Sequence, residues 1–453
     1  MMKQLIFNAW VLTFDNGWKE YRKGWVYIED DKILDVGDEL AQEAIYQQQA
    51  DMSFDAKGRW LMPGMINAHT HMFQTFLRGL ADDKPLKKWL FEEVYPFSAI
   101  MEEEDFYLSA LVGCIENLKN GATSVFDQHY VHCSKNNADR VLEAMEKTGI
   151  RGAYCRTYSN RLPGNKPLEE TKEEIFREMD RLRVKWHGKD NGRLTIALGT
   201  TNPWGSTAEL ISESYAYAEE HKLQFQIHTA ETEYVVQSCL EEYGMRNVNF
   251  FKSIDAIGPR ASLAHAVYVN EEEIKIIKDS GAKIVHNPVA NMYLASGVAP
   301  VPRFLELGIP VAVATDGPGS NNSQDMMEVL KVTPCLHKVH TKNAMIMYPE
   351  DVLRMATKGG AAILGRDDLG VIRKGYKADL ILMNWKRSHI APVHKANSGL
   401  VYNANGNDVD CVWVDGKMVV NEKSMLGIDE VALLEICQER AIYLRKKVRG
   451  LIK

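Results

Sequence analysis

No run of about 18 apolar residues occurs in this chain, so no segment is expected to cross a membrane as a helix. Basic residues form no stripe and the net charge is -7, which argues against a nucleic-acid partner. Cysteine is sparse and unpatterned. There are seven, an odd number, with no CxxC pair. That excludes a disulfide framework or a zinc ribbon and suits a reducing compartment. Low-complexity segments and long linkers are missing too. The opening MMKQLIFNAWVLTFDNGW alternates apolar with polar residues and meets Asp15 and Asn16 early, unlike a signal peptide. The expectation is a soluble cytoplasmic protein. Its composition, 45% hydrophobic and 25% charged, provides for a large core.

Texture divides the chain. KQLIFNAWVLTF, WVYIEDDKILDVG and SFDAKGRWLMPG are short β-rich runs separated by turns. GVIRKGYKADLILMNW and VDCVWVDGKMVVNEKSM repeat that texture near the other end, with Asp415-Gly416 as a hairpin turn. Between them, apolar runs ending in polar residues alternate with amphipathic helical stretches. The runs include GATSVFDQH, IRGAYCRTYS, RLTIALGTT, LQFQIHTAE, RASLAHAVY, AKIVHNPVA and IPVAVATDG. Strand, polar tip and helix recurring about eight times is the pattern of an α/β fold, a (β/α)8 TIM-like barrel. The expected layout is a barrel over 61–365, a small β-sandwich domain from flanks 1–60 and 366–428, and a C-terminal helix over 429–453.

In such a barrel the chemistry sits at the C-terminal strand tips. His69 and His71 in NAHTH share one strand face, because side chains two apart point the same way. Two imidazoles so placed can chelate one ion at about 2.0–2.1 Å. A chance neighbourhood would also produce His-x-His. The later tips decide between the two readings. They carry His228 with Glu231 three residues on, then His265, His286 and Asp316. Four histidine-bearing tips and one aspartate-bearing tip in one barrel point to a metal site.

These stretches resemble the amidohydrolase superfamily, in the branch of S-adenosylhomocysteine/methylthioadenosine deaminases, guanine-type deaminases and s-triazine hydrolases. The matching segments include LMPGMINAHTHMFQTFLRGL, WLFEEVYP, IHTAET, HNPVANMYLASGVAPVP, ATDGPGSNNSQDM and MATKGGAAILGRDDLGVIRKGYKADLIL. The resemblance implies one divalent metal ion, zinc or in some relatives iron, held by His69, His71, His228 and Asp316. It implies Glu231 as proton shuttle, His265 orienting water or substrate, and His286 contacting the substrate. Physical chemistry agrees. A divalent ion among neutral imidazoles and one carboxylate lowers the pKa of bound water from 15.7 toward about 7. Glu231 can then carry a proton from water to a ring nitrogen or a leaving amine. Relatives with two metals use a carboxylated lysine on a middle strand. IRGAYCRTYS and RLTIALGTT contain none, so one metal is expected.

Substrate contacts are expected from Gln74, Phe73, Leu77 and Trp89, with Trp89 stacking on a planar heterocycle, and from Arg156. His129 and His132 read as a polar loop near the pocket mouth. Cys114, Cys155 and Cys335 read as buried thiols. Pro85-Leu86-Lys87-Lys88 before Trp89, and Thr200, Thr201 and Asn202 where relatives carry a histidine, depart from the adenosylhomocysteine deaminases and weigh against a nucleoside. The expected activity is deamination of a small N-heterocycle: a purine, pterin, pyrimidine or triazine. Displacement of chloride or alkylamine from a triazine is the alternative. A non-catalytic scaffold is a third reading, opposed by the intact ligand set. A homo-oligomer is expected by resemblance alone.

Overall fold

The structure, a computed structural model, describes residues 1–162 and 165–451. Eight parallel strands run round a barrel and are numbered here in chain order. They are β1 (Met65–Thr70), β2 (Ala122–His129), β3 (Arg151–Tyr158), β4 (Leu194–Thr200), β5 (Phe225–Thr229), β6 (Ala261–His265), β7 (Lys283–His286) and β8 (Val311–Val313). Each pairs with its sequence neighbour. The seam between β8 and β1 is held at the tips. The Asp316 N–H donates to the His69 carbonyl at 3.1 Å, and the Thr315 N–H to Asn67 Oδ1 at 3.1 Å.

Strand alternation sorts the residues. Ala68, Phe126, Ala153, Cys155, Ala197, Val285, Ala312 and Ala314 point inward and pack together with Ile363. Small inward side chains let eight strands close round a filled interior. Residues one step away along each strand, such as Val125, Tyr154, Ile196 and Ile284, face the outer helices in the main core. Those helices start and stop where local chemistry dictates. Thr171 and Asn270 form capping boxes with Glu174 and Glu273. Gly149 and Gly281 end their helices in the left-handed conformation.

The two flanks merge into one nine-stranded mixed sheet. Leu380–Met383 pairs antiparallel with Trp60–Pro63, which lies parallel beside Lys3–Leu12. The sheet rolls back on itself, with Lys32 bridging Lys377. It encloses a core of its own that includes Ile6, Val26, Ile28, Leu61, Leu380, Leu382 and Trp413. The two layers of the expected sandwich are thus continuous with each other as one rolled sheet. The Trp60–Pro63 strand belongs to this sheet, three residues beyond the expected flank. Buried Arg151, at the start of β3, ties the barrel to it. Its Nε and Nη2 donate to the Asp379 carboxylate at 2.7 and 3.0 Å, and Nη2 also reaches Asp415.

The last helix spans Glu430–Val448. It lies against the Glu103–Lys119 helix of its own barrel, with the Arg440 guanidinium on the buried Asp105 carboxylate at 2.8 Å. Positions 452 and 453 of the expected helix lie outside the described residues. Of the three thiols expected to be buried, Cys114 and Cys155 are. Cys335 is exposed, on the outer side of its helix.

Candidate active site

The tips of β1, β5, β6 and β8 converge. To aim their side chains at one point the backbone takes conformations that L-residues resist. Ala230, His265, Ala266 and Asp316 have φ of 46°, 70°, 47° and 64°. Such strain persists only where surrounding structure enforces it, and it collects at functional sites.

The imidazoles are oriented from behind. His69 Nδ1 lies 2.7 Å from Gln226 Oε1, His71 Nδ1 2.5 Å from the Gln128 carbonyl, and His228 Nδ1 2.6 Å from the Thr201 carbonyl. Gln226 is itself fixed, because its Nε2 donates to the Ala68 carbonyl at 3.1 Å and to Ser262 Oγ at 3.2 Å. Each histidine therefore faces an acceptor through Nδ1. Each must carry its proton there, which leaves a bare lone pair on Nε2. Those lone pairs meet. His71 and His228 Nε2 are 3.3 Å apart. The Nε2 atoms of His71 and His69 lie 3.2 and 3.4 Å from Asp316 Oδ1. His69 Nε2 is buried with no hydrogen-bond partner.

Lone pairs and a carboxylate facing one another at this range repel unless a cation lies among them. Proton uptake is opposed. Burial holds His69 down to about 4 and His228 well below its usual value, the latter with help from its neighbouring histidines. Two groups, His69/His71/His228 and His69/His265/Asp316, each place their ligand atoms within 4.8 Å of one another. Neutral nitrogens plus a carboxylate, with each Nδ1 tethered behind, is a donor set that fits one divalent ion such as zinc.

Beside this cluster lies a small, partly open cavity. Glu231, almost fully buried, opens into it. Its Oε1 accepts from Ser296 Oγ at 3.3 Å, and Oε2 is 3.9 Å from His265 Nε2. Burial raises the Glu231 carboxyl pKa, opposed by His265 and assisted by Asp316. His265 Nδ1 faces Asn291 Oδ1 at 2.8 Å, and its Nε2 lies 3.9 Å from Asp316 Oδ2. Leu86, Trp89, Leu90, Val235 and Leu294 give the cavity an apolar wall. Tyr130, Thr201, Asn202 and Ser320 supply neutral polar groups. Among the described residues, no lysine or arginine lines it.

Not every expected contact is here. Trp89 is in the wall, with its Nε1 donating to the Gly319 carbonyl at 2.8 Å. Gln74 is fully buried behind the wall and touches the cavity only through Tyr130. Phe73 and Leu77 also lie behind it. Arg156 sits one step out of phase with inward-facing Cys155, so it points out of the barrel and pairs with Glu170. His286 is out of phase with inward-facing Val285. Its Nε2 meets His337 Nε2 at 3.2 Å, on the helix outside. The phase of a two-residue repeat decides both cases, and a run of sequence does not say which phase faces in. Two important residues escaped notice in the sequence. Gln226 had a signal, being a polar residue in phase with His228 within an apolar strand. Tyr130, just beyond the β2 tip, had none beyond its position.

A model of the amidohydrolase family matches residues 60–419. The chain belongs to this family. Its curated relatives include the 5'-deoxyadenosine deaminase of Methanothermobacter thermautotrophicus, 36% identical over 420 residues, which covers 93% of this chain and 94% of that one. Among solved structures, this amidohydrolase is similar to a zinc-bound adenosine deaminase from Xanthomonas campestris, with TM-score 0.90, 25% identity and 99% of both chains covered. It is also similar to a mutant atrazine chlorohydrolase from Arthrobacter aurescens TC1, complexed with zinc and atraton. That match has TM-score 0.91 and 25% identity and covers 97% of this chain and 100% of the other.

Proposed function

We propose that this amidohydrolase is a deaminase that removes the exocyclic amine of an adenosine-type nucleoside with an uncharged 5' portion. The observation that carries this is the meeting of bare imidazole nitrogens and the Asp316 carboxylate beside Glu231, in the lining of a cavity whose other walls are apolar or uncharged. The sequence departures weighed against a nucleoside. The likeness to a 5'-deoxyadenosine deaminase weighs more, because it runs nearly end to end. With no lysine or arginine lining the cavity among the described residues, a substrate bearing a free carboxylate would leave that charge unpaired.

His69, His71, His228 and Asp316 would hold one divalent ion, zinc in this reading, whose charge would lower the pKa of water at the site toward neutrality. Glu231 takes a proton from the attacking water and delivers it to the ring nitrogen or the departing amine. Burial, which raises its pKa, helps it hold the proton between those two transfers. His265, with Nε2 3.9 Å from both the Glu231 and the Asp316 carboxylates, would orient the attacking water or the substrate, and Asp316 would aim the water. Trp89 packs on the heterocycle, and Thr201 and Asn202 take its polar edge. The free cysteines fit a reducing cytoplasm. A homodimer is proposed on family likeness, and so is a division into flanks 1–63 and 366–428, barrel 64–365 and terminal helix 429–453, the first boundary moved from 60 to take in the Trp60–Pro63 strand.

The likeness to an atrazine chlorohydrolase favours a second reading, displacement of chloride or alkylamine from a triazine. Chloride leaves without a proton, so a poised Glu231 favours the amine. The deciding assay is ammonia release by zinc-loaded protein from adenosine, 5'-deoxyadenosine, guanine, pterins, cytosine and aminotriazines, beside chloride release from chlorotriazines. Ammonia from the adenosines is expected. Glu231→Gln should lower that rate at least ~100-fold with metal retained. Chloride release with silence on every amine would establish the second reading instead.

A further inference from the structure

We infer that Tyr130 is a specificity-determining residue that donates a hydrogen bond to one acceptor atom of the bound heterocycle, and that Gln74 sets the direction of that bond. This rests on the deaminase reading and extends it to recognition. Tyr130 follows the β2 tip and lines the cavity together with His71, Glu231 and Asp316. Its ring is held edge-on by His71 and by Phe73, each with centroids 4.9 Å away. The hydroxyl can therefore change only its proton's direction.

That direction is set from behind. Gln74 Nε2 donates to the Tyr130 oxygen at 2.7 Å. The Gln74 amide is not free to flip. Its Oε1 accepts from the Gly319 N–H at 3.3 Å, and a flip would set two donors against each other. Gln74 Oε1 fills the space that the missing side chain of Gly317 leaves, since a Cβ there would lie 2.0 Å from it. A phenol proton prefers the ring plane, which offers two directions. Gln74 occupies one. No described residue accepts the Tyr130 proton, so the other direction is left for a ligand atom. An amide that donates into a phenol makes that phenol an obligate donor. Buried donors of this kind discriminate strongly, because a ligand lacking the acceptor leaves them unpaired.

The test uses zinc-loaded native protein, Tyr130→Phe and Gln74→Leu on adenosine and analogues. In the analogues each non-reacting ring nitrogen is replaced by CH, and each sugar hydroxyl is removed in turn. Tyr130→Phe should lower kcat/KM on the parent about 10- to 100-fold at unchanged metal content, and should cost nothing further on the one analogue that lacks the acceptor. Gln74→Leu keeps the phenol but frees its proton, and should shrink the native discrimination against that same analogue. A purely structural Tyr130 would lower every substrate alike. That pattern, or a Tyr130→Phe protein within about twofold of native on the parent, overturns the assignment. Failure of the native protein on every aminopurine would instead sink the deaminase reading, and this inference with it.

Discussion

A histidine becomes a metal ligand through what lies behind it as much as in front. Gln226 illustrates this. Its carbonyl fixes the His69 tautomer, and its own amide is pinned by Ala68 and Ser262. Replacing it with leucine keeps the volume but releases the His69 proton to either nitrogen. Gln226→Leu should weaken metal binding about 10- to 100-fold, measured by competition with a chromophoric chelator. Unchanged affinity would mean that the ring is oriented by packing alone. The residues of the proposed ligand set stand out in the sequence because two-residue spacing and strand tips are local features. Gln226 was harder to see, since nothing local says that a glutamine at that phase will meet a histidine 157 positions away.

At the level of elements, the pairing of His286 with His337 joins β7 to the Met326–Thr341 helix. Both imidazoles are buried, and burial holds His337 down to about 4 and His286 well below its usual value. In the unfolded chain each titrates near 6.5. The folded form thus binds fewer protons below that pH. The stabilisation is complete above about pH 6.5 and declines as pH falls toward 4, by roughly 1.4 kcal/mol per pH unit per histidine. His337→Gln should flatten the fall of the thermal midpoint over that window in chelator-treated protein. Matching slopes for variant and native would show that this pair titrates freely in the fold. An apolar run ending in histidine looks the same whether the histidine faces the cavity or a helix, so His286 resembled the site residues. Arg156 was misread for the same reason.

For the whole molecule, the site joins distant parts of the chain. Its residues come from β1, β5, β6 and the end of β8, the last of which closes the barrel seam on β1. An ion bound there ties strands that are far apart in sequence and binds only the folded form. Removing it should lower the thermal midpoint in step with the free metal concentration. The loss is about 4 kcal/mol when metal had been present at a thousand times its dissociation constant. His69→Gln should abolish that dependence. A midpoint indifferent to chelator in the native protein would argue that the ligands are held by the fold alone.

Order along the chain was enough to establish the alternation of strands and helices, the tips bearing His69, His71, His228, Glu231 and Asp316, and the pairing of two β-rich flanks. Each rests on local periodicity or on spacing within a few residues. The tertiary structure decided the rest: the continuity of the flank strands in one rolled sheet, the outward phase of Arg156 and His286, the retreat of Gln74 behind Tyr130, and a cavity lining without lysine or arginine among the described residues. The phases of Arg156 and His286 depend on which face of each strand the closed barrel turns inward, and the others on how distant segments pack. That choice is made by packing among residues hundreds of positions apart, as where Arg151 meets Asp379 and Asp415.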